Sequence, residues 1–163
     1  MSKIKDIQKY DKLLESLKEL SKEISKKGFS LYLLMHTLSE NDSITLAGFY
    51  KEDENIVKTA SFTEKGWVLS EEDDQIISNE KPSEIELNEF LSINEIIKML
   101  SDSDENFERY TKIIASLSKN RELNVATWNI LAFLENSKVN NIKVNASNGE
   151  IISNENLDLI RKL

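Results

Sequence analysis

His36 is the only histidine among the 163 residues, and the sequence has no cysteine. Proteins hold zinc mainly through imidazole and thiolate groups, so a zinc ion here would have to rest on carboxylates. No serine or acid near His36 stands out as a partner for a catalytic triad. Because His36 lies in an apolar run between Met35 and Thr37, we interpret it as a structural or surface histidine and expect no catalytic residue there.

A second chemical pattern is the spacing of Asp102, Asp104 and Asn106, which is how a calcium-binding EF-hand loop begins. That loop also needs glycine at its sixth position and glutamate at its twelfth, where this sequence has Phe107 and Ile113. Acidic residues near a helix start offset the positive end of the helix dipole, which accounts for the pattern. The four glycines form no phosphate-binding loop. We expect no metal, no cofactor and no enzymatic activity; a carboxylate-dependent hydrolase is the remote alternative.

Charge is distributed unevenly along the chain. The net charge is −8, and residues 70–89 carry eight acidic residues against one lysine, whereas residues 1–28 carry eight lysines against five acids. This acidic balance disfavours nucleic-acid binding, because phosphate contacts need a basic surface. The densest acidic run is Glu71-Glu72-Asp73-Asp74. We interpret this run either as a solvated loop or as a surface that faces a basic protein partner.

Two tryptophans, Trp67 and Trp128, fall in runs with strand character. A tryptophan among aliphatic residues most often packs in the core, and the alternative is the rim of a ligand pocket or of an interface. Together with the acidic run, these tryptophans are the candidate interaction residues of the sequence.

The N-terminal segment predicts a helix. Apolar residues recur at helical spacing over residues 3–27, and Gly28 is a suitable helix stop. In the simpler interpretation this stripe packs on the protein's own sheet. The alternative is a homodimer through heptad-spaced residues of the same helix, namely Ile7, Leu14, Leu17 and Ile24.

An antiparallel meander is predicted to follow, because strand-like runs alternate with short turns. The predicted strands are Phe29–Leu38, Ser43–Tyr50, Ile56–Thr63 and Gly66–Ser70. Residues 70–83 read as a solvated linker, and Glu84–Phe90 reads as an edge strand because apolar and acidic residues alternate there.

The second half predicts helices and then strands. Ser92-Ile93-Asn94-Glu95 has the form of a capping box and starts a short helix, and a second helix is expected from Ser101–Asp104 onward through Leu117. Residues 123–134 fit either a strand or a helix, and their β-branched and aromatic residues favour a strand. Asn148-Gly149 indicates a hairpin turn. A last short helix is expected over residues 154–163.

The helices of residues 92–119, Trp128 in the following strand, and the hairpin Val144-Asn145-Ala146-Ser147-Asn148-Gly149-Glu150-Ile151 together resemble the PepSY domain, a helix followed by antiparallel strands. The resemblance covers about residues 92–152, and residues 3–69 are a candidate for a diverged second copy. The resemblance implies a partner-binding or inhibitory module without catalytic residues, as found in protease propeptides and cell-envelope proteins. This sequence differs by having Asn145 where the family often has an acid.

The predicted fold class is α+β, with helices on one face of an antiparallel sheet. Both halves place a helix before strands, which fits either two helix-plus-meander (PepSY- or cystatin-like) halves or one continuous sheet. The predicted parts are residues 1–69, the acidic linker and edge strand of residues 70–91, and residues 92–163.

The leading functional expectation is a non-enzymatic protein-interaction or regulatory module. The alternative is a small-ligand-binding protein with a pocket between helices and sheet, near Trp67 or Trp128. The charged first 27 residues contain no apolar run of the length that a signal peptide requires. We therefore expect a cytoplasmic protein that binds neither membrane nor nucleic acid.

Overall fold

The computed structural model describes residues 4–75, 82–120 and 124–158. This part of the chain forms helices and an antiparallel sheet, which confirms the predicted α+β class. The helices are α1 (Tyr10–Ser25) and α2 (Ile93–Ser103), and a 3-10 turn covers Phe107–Arg109. The strands are β1 (Phe29–Ser39), β2 (Ser43–Lys51), β3 (Ile56–Thr63), β4 (Gly66–Leu69), β5 (Asp74–Gln75), β6 (Tyr110–Asn120), β7 (Val125–Leu134), β8 (Lys138–Asn145) and β9 (Ile151–Asp158).

The strands form one sheet with the order β4-β3-β2-β1-β6-β7-β8-β9. The short strand β5 also pairs with β3, at Ile56 and Val57, whereas β4 pairs with the other end of β3. Each half of the chain is thus a helix followed by a meander. The first strands of the two halves, β1 and β6, join them in antiparallel register, with Leu34 opposite Leu117 and Leu38 opposite Ile113. The structure therefore has two helix-plus-meander halves within one continuous sheet.

One face of the sheet carries both helices and the core. Along β1 the side chains of Leu34, His36 and Leu38 are buried and alternate with half-exposed neighbours, as the two-residue period of a strand requires. Trp128 and Ile130 on β7 continue this buried layer. The buried side chains of α1 and α2 belong to the same cluster, so the two halves share one core.

The opposite face, called the open face below, carries no helix in the part of the chain that the structure describes. Its centre consists of half-exposed aliphatic side chains that alternate with buried ones: Leu33, Met35, Leu46, Ile114 and Leu131. These side chains shield one another, because cross-strand neighbours on one face lie close together.

The first helix begins at Tyr10, so the prediction that it starts at residue 3 is wrong. Lys9 has φ 55° and ψ 38°, a left-handed conformation that an α-helix cannot include. Ile7 is nevertheless buried, because Asn94 of α2 holds its backbone from both sides: the Ile7 N–H donates to Asn94 Oδ1 (3.0 Å), and Asn94 Nδ2 donates to the Ile7 carbonyl (3.1 Å). This clamp ties the start of one half to the helix of the other.

The residues of the predicted homodimer seam pack within the protein. Ile7, which precedes α1, and Leu17 and Ile24 on the helix are buried in the core, and Leu14 packs against it. The simpler interpretation, that the stripe packs on the protein's own sheet, agrees with this burial, and the homodimer stays a prediction.

The second predicted helix, from Ser101–Asp104 through Leu117, is also wrong. Asp104 is extended (φ −97°, ψ 112°), so α2 ends at Ser103 and the chain continues into β6. Ile113 and Leu117 fit a helical stripe, but they also alternate with exposed residues as a strand does. Pairing with β1 and β7 on both sides selects the strand.

Residues 84–91 form a strap across the core rather than the predicted edge strand Glu84–Phe90. The Ile85 N–H donates to the carbonyl of Leu31, at the β-bulge of β1 (2.8 Å), and the Leu91 N–H donates to the carbonyl of Ala146 (2.7 Å). The strap therefore links the first half to the second through isolated backbone hydrogen bonds, not through a strand ladder.

The C-terminal prediction is partly correct. The strand prediction for residues 123–134 is confirmed by β7 over Val125–Leu134, and Asn148-Gly149 lies in the turn between β8 and β9, with Gly149 at φ 78°. The predicted helix over residues 154–163 is wrong as far as residue 158, because β9 pairs with β8 there, and the rest lies outside the described residues. The capping box is confirmed: the Glu95 N–H donates to Ser92 Oγ, and the Ser92 N–H donates to Glu95 Oε2.

Candidate functional site

His36 lies in the centre of the core. Its Nδ1 is 2.8 Å from Thr45 Oγ1, and its ring stacks on Trp128 with 5.7 Å between centroids. Burial lowers the pKa of His36 to about 3, because a charged imidazolium would lose its hydration there. The imidazole is therefore neutral at ordinary pH and acts as a packed aromatic group.

The two tryptophans have structural roles. Trp128 is fully buried, and its indole N–H donates to the Leu91 carbonyl of the strap (2.9 Å), so its side chain cannot reach a partner. Trp67 is half-buried; its indole N–H donates to Ser16 Oγ on α1 (3.1 Å), and its ring lies against Phe62. Trp67 thus fastens β4 to the helix.

The acidic run Glu71-Glu72-Asp73-Asp74 is exposed, at the sheet edge next to β4. Asp73 pairs with Lys58 on β3, with 2.6 Å between Asp73 Oδ1 and Lys58 Nζ, and Asp74 belongs to β5. Within residues 4–75, 82–120 and 124–158, no three histidine, aspartate or glutamate side chains gather as metal ligands. Part of the negative charge in this run is thus neutralised within the protein.

Asp104, one of the three residues with EF-hand spacing, belongs to a polar hydrogen-bond network. The Tyr110 hydroxyl donates to the Asp104 carboxylate, and Asn140 Nδ2 donates to the Tyr110 oxygen (2.7 Å). Burial and the neighbouring carboxylate raise the pKa of Tyr110, so the phenol stays protonated. Asp104 therefore accepts a hydrogen bond that holds the end of α2 to β6 and β8.

An apolar concave surface lies between α2 and the β8–β9 hairpin, and we call it the α2–β9 cleft. It has a volume of about 310 Å³. Its floor and rim are formed by side chains from three elements and the turn: Ile96, Met99, Leu100, Asp102, Ser103, Val144, Gly149 and Ile151. Met99 is 40% exposed and Ile151 is 48% exposed, so two large apolar side chains stand at the rim in contact with water.

Gly149 shapes this cleft. A Cβ atom at this position would lie 2.2 Å from the terminal carbon of Met99, and φ is 78°. Glycine thus lets Met99 lie across the hairpin turn, which a larger residue would prevent.

A second, wider groove lies between the starts of the two helices. Its volume is about 580 Å³; apolar residues, among them Leu14 and Phe90, line it together with the charged residues Lys9, Asp11 and Glu95. The ring of Tyr10 forms part of the wall, and burial raises the pKa of its hydroxyl. Phe90 in the groove wall contacts the ring of Trp128, so this groove lies next to Trp128, whereas Trp67 does not line it.

Sequence reasoning missed Met99, Ile151 and the cleft. The sequence Ile-Ile-Ser-Asn-Glu occurs twice, at Ile76–Glu80 and at Ile151–Glu155, and the second copy forms the first part of β9, at the outer edge of the sheet. The first copy lies outside the described residues, so the repeat by itself did not indicate a strand.

No helix in the part of the chain that the structure describes is long and apolar enough to cross a membrane.

Comparison with known proteins supports the fold alone. No protein family and no curated protein matches the sequence. One solved structure is similar: a crystal structure from Clostridium difficile 630, described as that of a putative lipoprotein, with a TM-score of 0.62. The two chains are 13% identical, and the match covers 86% of this chain and 91% of the other. At this identity the likeness shows a shared architecture and carries no statement about activity.

Proposed function

We propose that this protein is a non-enzymatic interaction module that binds a segment of another protein in the α2–β9 cleft. The observation that carries the proposal is the pair of exposed side chains, Met99 and Ile151, at the rim of an apolar cleft. Apolar side chains that stand together at a concave surface typically mark a binding site. The PepSY resemblance, which implies partner binding, agrees with this function.

The cleft has a shape suited to a peptide segment. It is bounded by a helix on one side and an edge strand on the other, and its floor of Ile96, Leu100 and Val144 is aliphatic. Burying an aliphatic side chain there contributes roughly 1.5–3 kcal/mol. A few such contacts are enough for a specific but reversible complex.

The double variant Met99→Glu/Ile151→Glu is expected to lose the partner. Two charges at the cleft rim would have to be desolvated on binding, so we expect affinity to fall at least about ten-fold. The measurement is an affinity pull-down from native lysate at low and high salt, followed by titration of the captured, purified protein.

The matched control is Ile44→Glu/Val68→Glu. These residues are 54% and 53% exposed and lie on the open face, so the control adds the same charge elsewhere. Circular dichroism checks that both variants fold. Retention of the partner by the cleft variant, or its loss from the control alone, would place the interaction away from the cleft.

Binding of a small molecule in the groove between the helix starts is the second candidate. It is favoured by the buried Tyr10 ring in the groove wall beside Lys9, whose backbone has the left-handed conformation that strained functional sites often show. A metabolite at 100 times its Kd would stabilise the protein by about 2.7 kcal/mol. Thermal unfolding against a metabolite library tests this, with Leu14→Glu as the variant that should abolish any shift.

We also propose a cytoplasmic location, because a cysteine-free composition suits a reducing compartment. Cell fractionation tests the location, and recovery in the membrane or external fraction would contradict it.

A further inference from the structure

We propose that the partner segment binds as an added β-strand on the outer edge of β9, with an aliphatic side chain in the α2–β9 cleft and lysine or arginine residues beside it. This inference rests on the proposed function, since it specifies how a partner occupies the same cleft.

The outer edge of β9 is open to strand addition. β9 has eight residues and pairs on one side with β8, while its other side has no strand partner in the part of the chain that the structure describes. The backbone N–H and C=O groups on that side are a template for another strand. The opposite edge is protected: β4 and β5 have four and two residues, and the loop between them carries Asp73, which is paired with Lys58.

The position of Ile151 explains why the added strand would carry an aliphatic residue. Ile151 lies opposite Val144 on the face of the sheet that bears α2, and its side chain lines the cleft. Side chains of a neighbouring strand on the same face continue such a row outward. On that face the cleft is lined by Met99, whose side chain is exposed, so an aliphatic residue at the next position outward would meet an apolar surface.

The acidic residues near the cleft favour lysine or arginine on either side of the aliphatic residue in the partner segment. Asp102 lines the cleft and Glu150 directly precedes Ile151, and both are exposed. Lys143 on the neighbouring strand lies between the buried residues Ile142 and Val144, so it is on the open face, as is Glu155, and it does not lie beside Asp102 in the cleft. A segment with lysine or arginine is therefore attracted, and its association depends on salt concentration.

The same features exclude a second copy of this chain as the occupant. Two β9 strands pairing with each other would bring the Glu155 side chains of both copies to one surface, which is unfavourable. Like charges at a sheet edge are a usual means of preventing self-association.

The test uses the full chain and a capped synthetic peptide of alternating lysine and valine, which is extended, basic and apolar on alternate sides. Two control peptides differ in one property each. The first carries N-methyl groups on every backbone amide and cannot donate to a strand ladder. The second has glutamate in place of every lysine. Backbone amide NMR follows the titration, and hydrogen exchange of the β9 amides reports strand pairing.

The expected result is slower exchange of the β9 amides with the lysine–valine peptide, affinity at least about ten-fold lower for each control peptide, and weaker binding at high salt. Equal binding of the N-methylated peptide would overturn strand addition while leaving the cleft as a binding site. Absence of any change in the β9 amides at millimolar peptide would also overturn it. The proposed function is decided separately, by the pull-down with the Met99 and Ile151 variant.

Discussion

Replacing Trp128 with alanine is expected to lower the free energy of unfolding by about 3–5 kcal/mol, which is the usual effect of removing a buried tryptophan. The side chain is fully buried, stacks on His36 and contacts the ring of Phe90. Its loss leaves a cavity at the point where the two halves meet, and it leaves the Leu91 carbonyl without its donor. Natural domains are stable by only about 5–15 kcal/mol, so this variant should be close to unfolding.

Urea unfolding measures this effect, and Trp128→Phe separates its two causes. Phenylalanine retains a ring but removes the indole N–H, so the unpaired Leu91 carbonyl should account for about 1–3 kcal/mol. Trp67→Phe is the matched control, because Trp67 is half-buried and its loss should cost less. A loss below about 1 kcal/mol in Trp128→Ala would show that Trp128 does not hold the core together.

The free energy of unfolding is expected to decrease as the pH is lowered from 6.5 to 3, because of His36. Its pKa is lowered to about 3 in the folded protein, whereas an unfolded histidine has a pKa of about 6.5. In this range the unfolded chain binds a proton that the folded protein does not, so lowering the pH favours unfolding. The slope approaches about 1.4 kcal/mol per pH unit and the total loss is on the order of 4 kcal/mol.

The double variant His36→Leu/Thr45→Val should remove this part of the pH dependence, because it replaces both members of the buried pair with apolar groups. Thr45→Val alone keeps the imidazole and should keep the slope. His36 is the only histidine, so NMR follows its titration without overlap. An imidazole that titrates near pH 6.5 in the folded protein would contradict the buried position.

The strands of the first meander were predicted well because short turns separate the strand-like runs. β3 has the predicted bounds of Ile56–Thr63, and β1 and β2 are each one residue longer than predicted. Burial alternates clearly in β1 but not in β2 or β3, so the two-residue period alone does not explain the agreement. The capping box at Ser92 was equally visible, because its hydrogen bonds are local.

The elements that the sequence misassigned depend on partners far away in the chain. Ile113 and Leu117 on β6 fit both periods, and β1, about 80 residues earlier, decides between them. β9 has the polar residues Asn154 and Asn156, which disfavour a strand locally. As an edge strand, β9 forms its backbone hydrogen bonds with β8 alone, and it therefore needs few apolar side chains.

The candidate site could not be predicted for the same reason. The cleft needs α2 and β9 together, and the sequence indicated a helix where β9 lies. The acidic run and Trp67 stand out in the sequence, but a charge run or a tryptophan does not by itself indicate where a binding surface lies. Met99 and Ile151 become notable only when their exposure is known.

The central pairing of β1 with β6 has a consequence for how the protein folds. Each meander is built from contacts between neighbouring segments, which form early, whereas β1 and β6 meet only after a long loop has closed. The pairing of β1 with β6 is therefore the expected rate-limiting step of folding. Until it is complete, each half exposes the long inner edge that the finished sheet hides. At high concentration that edge can pair with the complementary half of another molecule, and this pairing leads to domain-swapped dimers during refolding.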